Sequence, residues 1–286
     1  LKDILDEAVK KNCAVPAFWG GDLVTSEACL MAAVEMKVPL ILLVHPVGTN
    51  LFCGNHELYL RFLKDMCRTV SVPVTLILDH GRNFKQCAEF LSYGVPSIMF
   101  DGSTLPHEDN IAATKEIVKM AHAAGVSVEG EIGHVGSLAE SQHEGDGGNA
   151  VYTEPNDAAM FAEATGVDAL AVSIGTMHGI YQGTPKLDIE RLKNIRSAVG
   201  SLPLVMHGGS GLPDEQFHLA VTNGINKVNY VTYMQLAAVA AMKEAITAHE
   251  GGKYSIGDAM KAAQVSMIQE AKKLFALYNT SALRQN

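Results

Sequence analysis

The sequence predicts an α/β fold: a single (β/α)8 TIM barrel with additional C-terminal helices. Three observations carry this. Eight short apolar runs recur along the 286 residues, segments with helical spacing of apolar residues separate them, and the runs are largely apolar throughout rather than alternating. Alternation marks a sheet with one wet face, whereas continuous runs fit parallel strands covered on both sides, and eight βα units close a barrel. A doubly wound open sheet is the alternative.

The chain opens on LKDILDEAVKK, a mixed-charge helix pattern without the apolar centre of a signal peptide. The strand runs are AVPAF (14–18), PLILLV (39–44), VTLILD (74–79), PSIMFD (96–101), VSVEGE (126–131), DALAVSI (168–174), PLVMH (203–207) and KVNYV (227–231). Helical spacing falls between them at 26–36, 57–70, 83–92, 110–124, 155–164, 189–198 and 214–222, with two further helices at 233–249 and 256–277. The polar, Gly-rich stretch HVGSLAESQHEGDGGNA (134–150) reads as a mobile active-site loop after the fifth strand. No composition shift, repeat or low-complexity tract divides the chain, so residues 1–286 read as one domain.

Composition narrows the function. A chain with 48% hydrophobic and 19% charged residues can bury a large core. A formal charge of -9 argues against nucleic-acid and acidic-membrane partners, which need concentrated Lys and Arg to replace counterions. Five cysteines without CxxC spacing indicate neither a disulfide framework nor a thiolate zinc site. No run reaches the roughly 18 apolar residues of a membrane span. A cytoplasmic enzyme acting on a small molecule is the expectation.

Chemistry-bearing residues cluster at strand ends. Asp79 and His80 follow VTLIL, Glu131 ends VSVEGE, His178 lies just beyond ALAVSIGT, and His207 follows LPLVM. Parallel barrels gather their chemistry where strands end, so these scattered positions become one pocket. Neutral imidazole is a good zinc ligand, and a catalytic zinc keeps three protein ligands with an open position, here His80, His178 and His207. A lone histidine near a strand end is more often simply hydrogen-bonded; three at neighbouring ends reverse that preference. His56, His122, His143, His218 and His249 fall in loops or helices and read as solvent-facing, His107 as a helix start, and His134 as a loop residue within reach of the site. Downstream, HGGSG (207–211) follows the seventh strand and Asn229, Tyr230, Val231 and Thr232 follow or end the eighth. That is the usual phosphate position of these barrels, where glycine lets backbone amides approach an anion.

These stretches resemble the class II, metal-dependent ketose-bisphosphate aldolases, including fructose- and tagatose-bisphosphate aldolases. The shared motifs are LDHG (78–81), DGSTLPHEDNIAATKEIVKMAH (101–122), GVSVEGEIG (125–133), YTEP (152–155), TGVDALAVSIGTMHGIY (165–181), PKLD (185–188), HGGSGLPDE (207–215) and GINKVNYVT (224–232). The resemblance implies that His80, His178 and His207 are ligands of a catalytic Zn2+. It implies that Asp79 exchanges a proton with the aldehyde oxygen, and that Gly179, Gly208, Gly209, Ser210 and Asn229 to Thr232 bind dihydroxyacetone phosphate. Asp101, Glu131 and Glu140 match acidic positions that in some members hold a second divalent or monovalent cation or serve the proton transfers. The family's GGxED stretch appears here as GSLAE, with Ala139 in place of one carboxylate.

The implied reaction is reversible cleavage of a ketose phosphate or bisphosphate through a metal-stabilised enediolate, with Asp79 as general acid and base. Asp79 as a cap of the next helix is the plainer alternative. A Schiff-base mechanism needs a desolvated lysine, and Lys227 reads as the start of its strand rather than its end. Two other functions stay open: a metal-dependent sugar-phosphate isomerase or epimerase, and a non-catalytic barrel. Most of the further departures from the family fall toward the aldehyde half. Trp19 stands where a small amide donor is usual, Asp22 replaces an asparagine, His45 replaces a small hydroxyl residue, and Gln182 replaces a lysine. Trp19 and His45 are therefore candidate substrate contacts, and Trp19 reads equally well as packing. By analogy with such barrels, a homodimer or homotetramer is expected, with the C-terminal helix offering an apolar face.

Overall fold

The computed structural model describes residues 1–46, 54–137, 150–181, 183–248 and 255–284. Eight parallel strands close a barrel: β1 (Val15–Trp19), β2 (Leu40–Val44), β3 (Val74–Gly81), β4 (Ser97–Phe100), β5 (Ser127–Ile132), β7 (Ala169–Val172), β9 (Leu204–Met206) and β10 (Ile225–Tyr230). They pair in chain order, and β10 closes onto β1 with Val15 opposite Lys227 and Ala17 opposite Asn229. Two short strands, β6 (Gly136–Ser137) and β8 (Met177–His178), pair outside the barrel in a ribbon the apolar pattern did not predict.

Around the barrel lie α1 (Lys2–Lys11), α2 (Leu23–Met36), α3 (His56–Arg68), α4 (Phe84–Ser92), α5 (His107–Ala123), α6 (Pro155–Thr165), α7 (Ile189–Val199) and α8 (Asp214–Thr222), followed by α9 (Thr232–Ala248) and α10 (Ile256–Leu277). Their starts follow from capping. The side chains of Asp22, Asn55, Asn83 and Asp188 accept the backbone N–H three residues on, satisfying donors that a helix start leaves orphaned. Asp22 is thus the cap of α2, which begins before the predicted residue 26. Asn83, not Asp79, caps the helix after β3.

Strand alternation splits the core in two. Residues such as Phe18, Leu42, Leu78, Phe100, Leu170 and Met206 point outward and pack beneath the helices. Ala17, Ile41, Leu43, Ile77, Met99, Ala171 and Val205 fill the barrel, which Leu5 and Ala8 of α1 join at its base. Burying each of the Ile, Leu and Met side chains among these contributes about 1.5–3 kcal/mol, and together they make the interior a packed plug rather than a channel. The C-terminus returns to the start of the sheet. The Ala14 N–H donates to the Tyr278 carbonyl at 3.0 Å, and Thr280 Oγ1 donates to the Ala14 carbonyl at 2.7 Å.

One strand boundary corrects the sequence reading. β10 begins at Ile225, where an irregular register with β9 absorbs a residue, so Lys227 lies in mid-strand and faces the barrel interior fully buried.

Candidate active site

All three predicted imidazoles meet at the C-terminal mouth of the barrel. Ring centroids lie 4.8 Å apart for His80 and His207, 5.3 Å for His80 and His178, and 6.0 Å for His178 and His207. One nitrogen from each falls within 4.8 Å of those of the other two.

His80 reaches this point through a backbone irregularity. Leu78 pairs with Ile98, but the next pairing joins Gly81 to Phe100, so the strand bulges at Asp79 and His80. His80 has φ 49°, in the left-handed region unusual for a residue with a Cβ. The bulge sends two consecutive side chains to the same mouth, whereas a regular strand would turn one outward. His80 Nδ1 is 2.8 Å from Asp101 Oδ2, just beyond β4, leaving Nε2 to face His207 Nδ1 at 3.2 Å. Asp101 is held in turn by Ser103, whose hydroxyl donates to Oδ1 at 2.6 Å and lies 3.1 Å from His134 Nδ1. The reach of His134 toward the site therefore runs through Ser103 and Asp101.

His178 arrives on β8 rather than at the tip of β7. Both of its ring nitrogens are buried and neither has a hydrogen-bond partner. Burial, with His80 and His207 nearby, holds its pKa well below the ordinary value, so it is neutral. A buried imidazole with two unsatisfied nitrogens is costly, and a cation between the three rings would satisfy one of them.

The acidic groups are uneven. Burial raises the Glu131 carboxyl, with the Asp101 charge adding to it, to about 8; its Oε2 is buried without a partner. Asp101 experiences burial too, but His80, Ser103 and Arg82 outweigh it and hold its pKa well below the carboxylate range. Burial opposes charge on His80, yet Asp79, Asp101 and Glu131 prevail and lift it to about 10. His80, Asp101 and Glu131 form a second group whose ligand atoms lie within 4.8 Å. Asp79 Oδ1 accepts from Asn229 Nδ2 at 3.1 Å, and the same nitrogen is 3.1 Å from His207 Nδ1. Glu140 lies outside the described residues, as do Gln182, His143 and His249.

The Gly-rich segment adjoins this cluster. The Gly209 N–H donates to the Asn229 carbonyl at 3.2 Å, and Ser210 Oγ accepts the Val231 N–H at 3.0 Å, locking the turn after β9 against the end of β10. Gly208 has φ 65°, and a Cβ there would lie 2.6 Å from the Met177 carbonyl oxygen, so only glycine fits. Gly179, also buried, follows His178. Thr232 opens α9, so the turn faces a helix N-terminus, where amides and dipole favour an anion. Within the segment Tyr230 turns outward and its hydroxyl donates to Glu270 at 2.6 Å, which leaves its backbone as the part nearest the turn.

Trp19, at the end of β1 beside β10, and His45, just beyond β2, are buried at the mouth between the Gly-rich turn and His80, with their rings 6.5 Å apart and that of His45 6.4 Å from that of His80. A Cβ on Gly21 would come within 2.2 Å of the Trp19 indole, so the chain leaves that space to the ring.

Sequence reasoning missed Glu129 and misread Lys227. Both are fully buried one inward-facing layer below the mouth; Glu129 Oε1 is 2.9 Å from His207 Nε2 and its carboxylate pairs with Lys227. The signal was present: Glu129 precedes Glu131 by two residues and Lys227 precedes Asn229 by two, the strand period.

A closed parallel barrel with imidazoles and carboxylates converging beside a Gly-rich helix start is the architecture of a metal-assisted barrel enzyme. Comparisons with known proteins agree. The family model for class-II fructose-bisphosphate aldolase matches residues 1–282. A fructose-bisphosphate aldolase from Geobacillus stearothermophilus is 36% identical over 279 residues, 94% of this chain and 95% of that one. The crystal structure of the YdjI aldolase from Escherichia coli K12 superposes with a TM-score of 0.85 at 31% identity, covering 99% of this chain and 98% of that one. The fructose-bisphosphate aldolase of Campylobacter jejuni shares the fold, with a TM-score of 0.82 at 24% identity over 99% of this chain and 95% of that one. The chain belongs to the class-II fructose-bisphosphate aldolase family, a family of metal-dependent lyases. Among the described residues no helix is long and apolar enough to cross a membrane, and Cys13, Cys29, Cys67 and Cys87 are free.

Proposed function

We propose that this chain, as one domain over 1–286, reversibly cleaves a ketose 1-phosphate or 1,6-bisphosphate to dihydroxyacetone phosphate and an aldehyde, using Zn2+ held by His80, His178 and His207. The observation that carries the reading is His178, whose ring nitrogens are buried and partnerless and one of which lies within 4.8 Å of nitrogens of His80 and His207. Three imidazole nitrogens at this separation fit zinc once His80 gives up its second proton to the incoming cation. When bound, the cation polarises the ketose carbonyl and offsets the negative charge left on the phosphorylated fragment.

The protein's own groups do the rest. Asp79, buried and oriented by the Asn229 amide, takes the proton from the C4 hydroxyl during cleavage and returns it to the aldehyde oxygen during condensation. Glu140, by family resemblance, serves the proton transfer at the phosphorylated fragment. Asp101 orients His80; Glu131, on losing its proton, would complete with them a position for a second cation. Gly179, Gly208, Gly209 and Ser210, with Asn229 and the backbone from Tyr230 and Val231 to Thr232, receive the phosphate at the start of α9. Trp19 and His45 bound the aldehyde half and narrow the choice of aldehyde.

Cytoplasmic residence and a homodimer or homotetramer belong to the same reading. Val239 on α9 and Ile256 and Val265 on α10 are exposed apolar residues consistent with subunit contact. Assaying a panel of phosphorylated ketoses for dihydroxyacetone phosphate release, with and without chelator, tests it. Release that chelator abolishes and zinc restores is the expected result; interconversion of ketoses without triose phosphate release would instead identify an isomerase or epimerase.

A further inference from the structure

Beneath the three histidines the barrel encloses a charged pair with no part in the steps above. Lys227 Nζ, on β10, lies 2.8 Å and 3.1 Å from the two carboxylate oxygens of Glu129, on β5, and both side chains are fully buried. Apolar residues of similar volume would fill the same space without removing two charges from water, so the pair is poorly explained by stability alone. We propose that Glu129, anchored by Lys227, is the positioning residue that fixes the tautomer of His207, with Nε2 protonated and Nδ1 presented to a divalent cation. The inference rests on the reading of His207 as a metal ligand.

Two independent contacts set that tautomer. On one side, Nε2 faces a carboxylate oxygen at 2.9 Å, which can only accept, so Nε2 carries the hydrogen. On the other, Nδ1 faces the Asn229 amide nitrogen at 3.1 Å. The orientation of that amide is set elsewhere: the same nitrogen donates to Asp79 Oδ1, and turning the amide over would set oxygen against oxygen. A donor therefore faces Nδ1, which must hold a lone pair. Both ends of the ring agree.

Lys227 makes the arrangement rigid. It engages both oxygens of Glu129, so the carboxylate cannot rotate away from the imidazole. The Lys227 ammonium, 2.8 Å and 3.1 Å from the two oxygens, is the counter-charge that keeps this buried acceptor a carboxylate. Such a carboxylate also increases the electron density that His207 offers through Nδ1. Lys227, which the sequence offered as the nearest candidate for a covalent nucleophile, is instead the support of this acceptor.

The test compares two charge-neutral replacements, E129Q/K227M and E129L/K227M. Both remove the ion pair and share the K227M change, but only the glutamine keeps an acceptor for Nε2–H. Zinc affinity is read by competition with a chromophoric chelator, and the histidine tautomers of the metal-free proteins by long-range 1H–15N NMR. The expected affinity order is unaltered protein, then E129Q/K227M, then E129L/K227M, the last weaker by about ten- to a hundredfold, with His207 protonated on Nε2 in the unaltered chain. If E129L/K227M does not fold, the tautomer in the unaltered protein and the affinity of E129Q/K227M decide alone. Equal affinities in the two replacements, or a hydrogen on Nδ1 of His207 in the unaltered chain, overturn the inference while leaving the metal site standing. An unaltered chain that takes up no zinc overturns both.

Discussion

Asp101 Oδ2 lies 2.8 Å from His80 Nδ1, and it holds a ring whose own backbone is bent into the left-handed region at φ 49°. A residue kept in a sparsely populated conformation within a bulge needs surrounding contacts to over-determine it, and Asp101 is the contact that fixes the ring. Replacing Asp101 with alanine should weaken divalent-metal affinity by about ten- to a hundredfold while the barrel stays folded. Chelator competition measures this; unchanged affinity would show that the bulge alone aims His80.

Loss of protons from the metal-free site should make stability fall in mildly alkaline solution. Glu131 titrates near 8 when folded, above its ordinary 4.5, so folding is progressively penalised as pH rises between those values. His80 is raised from 6.5 to about 10; its stabilising contribution is complete below 6.5 and is lost as pH rises toward 10. His178 and His207 are lowered and cost stability only on the acid side of 6.5. Thermal melts of chelator-treated protein should therefore show a falling Tm from pH 7 to 9, with a shallower fall in E131Q. Saturating zinc should raise Tm increasingly over the same range, because the metal needs deprotonated ligands. A flat or rising Tm without metal would contradict this assignment of charges.

The turn after β9 tolerates no side chain at its first glycine. Gly208→Ala would place a Cβ 2.6 Å from the Met177 carbonyl oxygen at a φ of 65°. The expected cost is about 1–3 kcal/mol of stability, together with a raised KM for the phosphorylated substrate, since the turn and the start of α9 shift as a unit. Denaturant unfolding and steady-state kinetics measure the two. A stable variant with unchanged KM would remove this turn from the phosphate site.

At the aldehyde side, Trp19→Asn is expected to change which ketose phosphate is cleaved best rather than to abolish cleavage. The indole stands at the end of β1, beside the end of β10, with its ring 6.5 Å from that of His45. Ranking kcat/KM over several ketose phosphates for both proteins tests it, and an identical ranking would make Trp19 simple packing.

Much of this was legible in the sequence because the barrel writes its chemistry at the ends of apolar runs. Asp79, His80 and His207 each close such a run, and His178 follows one closely enough to be read with them. The inner layer was harder. Glu129 sits inside what reads as an ordinary strand, and only the period of two, counted back from Glu131, places it toward the barrel interior. Lys227 was misplaced because the polar Asn226 and the irregular register at Ile225 hide the true start of β10. Hydrophobic pattern cannot register a bulge, so the left-handed His80 and the β6–β8 ribbon carrying His178 were not foreseeable from periodicity. Asp22, a departure from the family near the site, turned out to be a helix cap.

The central claim is that three imidazoles share one cation, and His178 tests it most directly because nothing else in the described structure satisfies its ring nitrogens. The measurement is the metal content, by mass spectrometry, of unaltered protein and His178→Ala after dialysis against a weak chelator, with circular dichroism to verify the fold. The account predicts a retained equivalent of divalent metal per chain in the unaltered protein and its loss from the folded variant. Equal metal content in the two, with the fold intact in both, would contradict it.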